Sequence, residues 1–229
     1  MFLEHLQEAA RLNVAGASMM AMNNRGGAVR AFKTAIQIME TLSVSPEADG
    51  KIRSNQEQGC AAMKIPAHSV YQTKGGDDED FFVFKQPLIF QINPVALDLG
   101  FYNGVIMFNL ALAFHQEAIR SCDHSKFSKS INLYNLCANL LVGDTTAASN
   151  AVVLAAVNNM TQIYLKIGAY DLFREGIHRL SQQAASLASL QEDAFTTASA
   201  VHFPFEQKHF EEFYLNITLA HEPTTAAMA

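Results

Sequence analysis

Side chains with the chemistry to bind a metal ion lie close together between residues 115 and 124. His115, Cys122 and His124, with Asp123 between the last two, supply imidazole, thiol and carboxylate groups, which are the ligands that zinc takes in proteins. Tight zinc sites carry paired ligands at short spacings, and the seven-residue step from His115 to Cys122 does not match them. We therefore expect no metal site and interpret these as surface residues near the end of a helix.

Signatures of catalysis are missing from the sequence. Serine, histidine and acidic residues are present, but a Gly-x-Ser-x-Gly elbow, a phosphate-binding loop and a dinucleotide fingerprint are not. The glycine pairs at 26–27 and 75–76 are interpreted as turns. We expect a protein that is not an enzyme and uses no cofactor.

Composition narrows the class of protein. The chain has 229 residues, of which 49% are hydrophobic and 17% charged, and its net charge is −6. This balance is typical of a globular protein and argues against a nucleic-acid binder, which needs a basic face. No apolar run is long enough to span a membrane, and no secretion signal is seen at the N-terminus. Three cysteines without paired spacing indicate reduced thiols, and hence a cytoplasmic or other intracellular location.

Apolar residues recurring at steps of three and four predict three pairs of helices in a single domain. In the second pair, Ile131, Tyr134, Leu136, Cys137 and Leu140 are expected on the buried side. The predicted organisation is repeat one at 2–42, an insertion at 43–95, repeat two at 97–142, repeat three at 147–190, and a C-terminal strand and tail at 191–229.

The insertion differs in character from the helical pairs. Residues 47–79 are predicted to be mostly loop, and the aromatic stretch Phe81–Phe90 is predicted to be extended and could pair with a C-terminal strand at Phe210–Leu219. That stretch either packs over the helical pairs or leaves an apolar patch for a partner. The acidic run Asp77–Asp80 is interpreted as a solvated loop, with a docking site for a basic partner as the alternative.

The helical pairs resemble tetratricopeptide repeats. That pattern asks for a small residue in the first helix, a bulky one three later, and small, aromatic and small residues in the second helix. The first pair supplies Gly16, Met19, Ala28, Phe32 and Ala35. The second pair supplies Ala111, Phe114, Ser130, Tyr134 and Cys137, and the third supplies Thr161, Tyr164, Gly168, Tyr170, Phe173, Ile177 and Leu180. The three small residues of the first helices stand 95 and 50 residues apart rather than the usual 34.

The resemblance implies a mainly α fold, a tetratricopeptide-like α-α superhelix of about three helix pairs with a small β element from the insertion and the C-terminus. It also implies that the first helix of each pair faces a concave surface open to a partner. The positions so implied are Asn13, Phe108, Leu112, His115, Asn158, Gln162 and Lys166. Asn158 and Gln162 could bind an extended peptide backbone or simply contact neighbouring helices and water.

The function expected from these features is a protein–protein interaction scaffold or adaptor that binds a peptide or another protein on its concave face. A second interpretation is a structural subunit of a larger complex, docking or self-associating through the aromatic β element. An enzyme is the third, and it would need a deep pocket with convergent titratable groups.

Overall fold

The structure is a computed structural model that describes residues 1–44, 63–64, 84–90, 92, 97–144 and 146–196, with the backbone alone at 63–64, 147 and 186–196. The described helices are α1 (Phe2–Ala21), α2 (Arg25–Ser43), α3 (Leu99–Ser121), α4 (His124–Leu140), α5 (Ala147–Lys166) and α6 (Tyr170–Thr196). The described strands are β1 (Met63–Lys64) and β2 (Ile89–Phe90). The mainly α fold predicted from the sequence is confirmed.

In the turns after α1 and α3, one residue lies in the left-handed region and the side chain of a neighbouring residue caps the next helix. Asn23 has φ 61°, and Asn24 next to it caps α2 by accepting the N–H of Gly27 at 3.0 Å. Cys122 has φ 50°, and Asp123 next to it caps α4. Asparagine and aspartate suit these places because their short side chains satisfy the free N–H groups of the first turn.

Helices that follow one another along the chain pack against one another, so that the order of the helices in the sequence is also their order in space. The first helices of the three pairs, α1, α3 and α5, are also in contact across the pairs. The helix α2 packs directly on α3, although the insertion separates them in sequence. The core is therefore continuous from the first pair to the third.

Small residues allow the close approach of paired helices. A Cβ atom on Gly16 would lie 2.5 Å from Cε1 of Phe32, whose ring is completely buried. In the third pair, the side chain of Thr161 occupies the space where a Cβ atom on Gly176 would lie. These contacts explain the small-residue positions in the first and third pairs, because a larger side chain there would overlap its neighbour.

Two predicted core residues of α4 are exposed instead. Leu136 is 53% exposed and Leu140 is 42% exposed, whereas Tyr134 and Cys137 are fully buried. A step of two residues turns a helix by about 200°, so Leu136 faces away from the side on which Tyr134 lies. The prediction was wrong for these leucines because it assigned too wide a face of α4 to the core.

The β structure within the described residues is a short antiparallel pairing. Met63 pairs with Phe90 and Lys64 with Ile89. Met63 and Lys64 lie within the stretch 47–79 that was predicted to be mostly loop, and the rest of that stretch lies outside the described residues. The predicted partner strand at Phe210–Leu219, like the acidic run at 77–80, lies outside the described residues.

Among the described helices, none combines the length and the apolar character that crossing a membrane would require.

Candidate functional site

Residues 84–90, called here the inner segment, lie against the first helices of the pairs. Phe84, Leu88 and Phe90 are 4%, 1% and 3% exposed, whereas the residues between them are half-buried. The ring of Phe90 stacks on Tyr102 of α3 with the ring centroids 4.7 Å apart. The inner segment thus presents apolar side chains at its first, fifth and seventh positions to the helices.

The backbone of the inner segment is held at its centre by Asn109 of α3. The N–H of Leu88 donates to Oδ1 of Asn109 at 2.7 Å, and Nδ2 of Asn109 donates to the Leu88 carbonyl, also at 2.7 Å. Because a backbone N–H can only donate, the atom facing it must be the oxygen, which fixes the orientation of the carboxamide. The side chain therefore pairs with both polar groups of one residue, as a neighbouring strand would.

Asn13 of α1 supports this pairing. Its Nδ2 donates to the same Leu88 carbonyl at 3.1 Å, and its Oδ1 accepts from Nδ2 of Asn109 at 2.8 Å. Asn13 and Asn109 are both buried. A buried carboxamide must find such partners, because an unpaired polar group in the interior destabilises the fold.

The other end of the inner segment is held by amides of α3 and α5. Nε2 of Gln116 donates to the Lys85 carbonyl at 2.5 Å, and Nδ2 of Asn159 donates to the Phe84 carbonyl at 3.0 Å. Each of the three first helices therefore contributes at least one carboxamide. We call the surface formed by Asn13, Asn109, Gln116 and Asn159 the amide groove.

A second set of buried polar groups lies beside the amide groove. Asn159 also donates to the hydroxyl of Tyr134 at 3.0 Å, and that hydroxyl lies 3.5 Å from Nδ1 of His115. Nε2 of His115 lies 2.7 Å from Oε1 of Gln162. With that oxygen as the acceptor, Nε2 carries the proton and Nδ1 is the acceptor that faces Tyr134.

Burial keeps His115 neutral. Desolvation lowers the pKa of His115 to about 3, against a smaller opposing effect of its hydrogen bond to Gln162. The pKa of the Tyr134 hydroxyl is raised and that of the Cys137 thiol is raised to about 12, in both cases chiefly by burial. All three groups are therefore neutral near pH 7.

The residues expected on an open concave surface are buried, with one exception. The buried ones are Asn13, Phe108, Leu112, His115, Asn158 and Gln162, and the exposed one is Lys166. The expectation of an open surface was wrong at those buried positions, among which Asn13 contacts the inner segment and His115 of α3 contacts Gln162 of α5. Gln162 contacts His115 of α3, as the alternative of contacts with neighbouring helices predicted, whereas the 3.4 Å contact of Asn158 is with Asn159 of its own helix.

The residues considered as metal ligands are not brought together. His115 is buried inside α3, so its interpretation as a surface residue was wrong, whereas Cys122 and His124 are exposed as expected. Within the part of the chain that the structure describes, no group of three or more histidine, cysteine or acidic side chains could hold a metal ion.

Sequence reasoning missed three of the four residues of the amide groove: Asn109, Gln116 and Asn159. A signal for two of them was present, because an asparagine stands two or three positions before the small residue in the first helix of every pair. Asn13 precedes Gly16 in this way, and Asn109 precedes Ala111.

Searches against protein-family models, curated proteins and solved structures returned no significant match to this chain.

Proposed function

We propose that the chain is a protein–protein interaction scaffold or adaptor, and that its amide groove is the concave face of a tetratricopeptide-like superhelix that binds an extended peptide. The observation that supports this is the arrangement of carboxamides. Asn13, Asn109 and Asn159 come from three successive first helices and bind backbone carbonyls of Phe84 and Leu88 in the inner segment.

Carboxamide groups suit this function because they bind a peptide through its backbone. An N–H and a C=O occur at almost every residue, so their hydrogen bonds set the direction and register of a peptide whatever its sequence. Selectivity then comes from the buried sites that Phe84, Leu88 and Phe90 occupy. A partner peptide would place large apolar side chains at the same spacing.

A subunit role in a larger complex is the second proposal, and a different surface supports it. Phe84 and Phe90 are buried, so in the described part of the aromatic element they offer no docking face. Leu136, Leu140 and Val142, at the C-terminal end of α4 and just beyond it, are 53%, 42% and 75% exposed. Sedimentation velocity of the chain over a range of concentrations tests this role, and a Leu136→Lys variant should abolish any self-association made through that surface.

A random-peptide display selection on the whole chain tests the proposed function. We expect selected peptides to carry large apolar residues at positions one, five and seven, and to be displaced by the blocked heptapeptide Phe-Lys-Gln-Pro-Leu-Ile-Phe, which copies residues 84–90. A heptapeptide of the same composition in scrambled order is the matched control and should not displace them. Selected peptides that the copied heptapeptide does not displace would have their site outside the amide groove, and would refute the proposal.

A further inference from the structure

The amide groove is already filled by the chain itself. Asn13, Asn109, Gln116 and Asn159 all make hydrogen bonds to backbone groups of the inner segment. It belongs to the insertion between α2 and α3 and lies outside the helical pairs. A partner that uses this groove must therefore compete with residues 84–90.

The helical pairs meet one another without the inner segment as an intermediary. The helix α2 packs directly on α3, α3 contacts α5, and α4 packs on α5. The contacts that join the three pairs are therefore made between helices, and the inner segment adds to them from one side. The order of the helices therefore rests on contacts between helices, although Phe84, Leu88 and Phe90 of the segment also belong to the core.

The inner segment also contacts the groove in the way that a bound peptide would. Its described hydrogen bonds to the groove run through the backbone of Phe84, Lys85 and Leu88. Pro87 stands immediately before the Leu88 N–H, where it has no N–H of its own to leave unpaired and where its fixed φ favours an extended chain. Its apolar side chains enter the groove at the first, fifth and seventh positions.

We propose that the inner segment is an intramolecular ligand that closes the amide groove until a peptide of the same chemistry displaces it. That peptide is extended and carries large apolar side chains in the pattern of Phe84, Leu88 and Phe90. This inference rests on the proposed function, and it adds that peptide binding is regulated by competition within the chain. A tethered ligand acts at an effective concentration of the order of millimolar, so a free peptide binds weakly until the tethered one is released.

The test uses a released variant and a probe peptide. In Leu88→Asp a carboxylate replaces a side chain that is 1% exposed, and because burying an unpaired charge is costly the inner segment should leave the groove. Ile89→Asp is the matched control, since Ile89 is half-buried and an aspartate there can reach water. The probe is fluorescein-labelled Phe-Lys-Gln-Pro-Leu-Ile-Phe with blocked ends, followed by fluorescence anisotropy.

The apparent affinity of a site is proportional to the fraction of molecules in which the site is open. The probe should therefore bind Leu88→Asp at least about tenfold more tightly than the unmodified chain. Ile89→Asp should behave as the unmodified chain does. Equal affinity for Leu88→Asp and the unmodified chain would overturn the competition and leave the proposed function standing. Absence of binding to both would overturn the competition and the proposed function together.

If Leu88→Asp does not fold, hydrogen exchange of the unmodified chain tests whether the inner segment opens separately from the core. The Leu88 N–H, bonded to Asn109, reports on the docked segment, and the helical N–H groups of Ala111 and Leu154 report on the core. A displaceable segment opens separately, so Leu88 should be at least about tenfold less protected than these core amides. Protection equal to that of the core would show that the segment leaves only on global unfolding, and would overturn the inference.

Discussion

The substitution Asn109→Ala should destabilise the protein much more than Asn13→Ala, although both asparagines are buried and contact the same carbonyl. Without the Asn109 side chain, the buried N–H of Leu88 loses the acceptor that it has at 2.7 Å, and Oδ1 of Asn13 loses its donor at 2.8 Å. Each buried polar group left unpaired costs about 1–3 kcal/mol, so the expected loss is roughly 2–6 kcal/mol. A domain of this kind has only about 5–15 kcal/mol of stability in total.

The loss in Asn13→Ala should be smaller because its partners keep other bonds. The Leu88 carbonyl still accepts from Asn109 at 2.7 Å, and Nδ2 of Asn109 still donates to that carbonyl. One hydrogen of that Nδ2 is left without Oδ1 of Asn13, so we expect about 1 kcal/mol.

Urea denaturation followed by circular dichroism measures both free energies of unfolding. The double variant completes a cycle, and its loss should be less than the sum of the two single losses, because each single variant already removes the bond between the two side chains. Equal losses in the two single variants, or the reverse order, would mean that Asn109 does not hold the Leu88 backbone.

Two further predictions concern the core. The pKa of His115 is lowered by burial to about 3 against about 6.5 in the unfolded chain, so stability should be full above pH 6.5 and fall as the pH decreases below it. The limiting slope is about 1.4 kcal/mol per pH unit, and a His115→Gln variant with the same slope between pH 6 and 5 would contradict this assignment. Gly16→Ala should lower the free energy of unfolding by about 1–3 kcal/mol, because the added methyl group overpacks against Phe32. Gly26→Ala is the control and should leave the melting temperature almost unchanged, since the nearest neighbour of its added methyl group would lie 3.9 Å away. Equal melting temperatures for the two variants would refute the close contact at Gly16.

Periodicity predicted the helices better than it predicted their buried faces. The recurrence of small and aromatic residues placed Gly16 beside Phe32 and put Tyr134 and Cys137 in the core. It also placed Leu136 in the core, and that residue is exposed. Hydrophobicity alone does not decide which face of α4 meets its neighbours, because that depends on how the pairs rotate against one another when they pack.

The sequence indicated the kind of side chain at the candidate site but not the partners of these side chains. Asn13 was named as a residue that could bind a peptide backbone, and it does contact a backbone carbonyl. That carbonyl belongs to Leu88 of the same chain, and the main contact is made by Asn109, which was not named. The resemblance supplied the kind of side chain to expect on the first helices but gave no information about the insertion.

By itself, the sequence determined three pairs of helices, the turns between them, and the small residues that let the helices of a pair approach one another. These are local properties, since they depend on residues within a few turns of one another and on the conformational preferences of asparagine and glycine. Only the tertiary structure decided what fills the groove. Asn13 and Leu88 are 75 residues apart, and Asn13 and Asn109 are 96 residues apart. Contacts at such separations leave no periodic trace in the sequence, because they form only once packing of the helices brings their carboxamides to one surface.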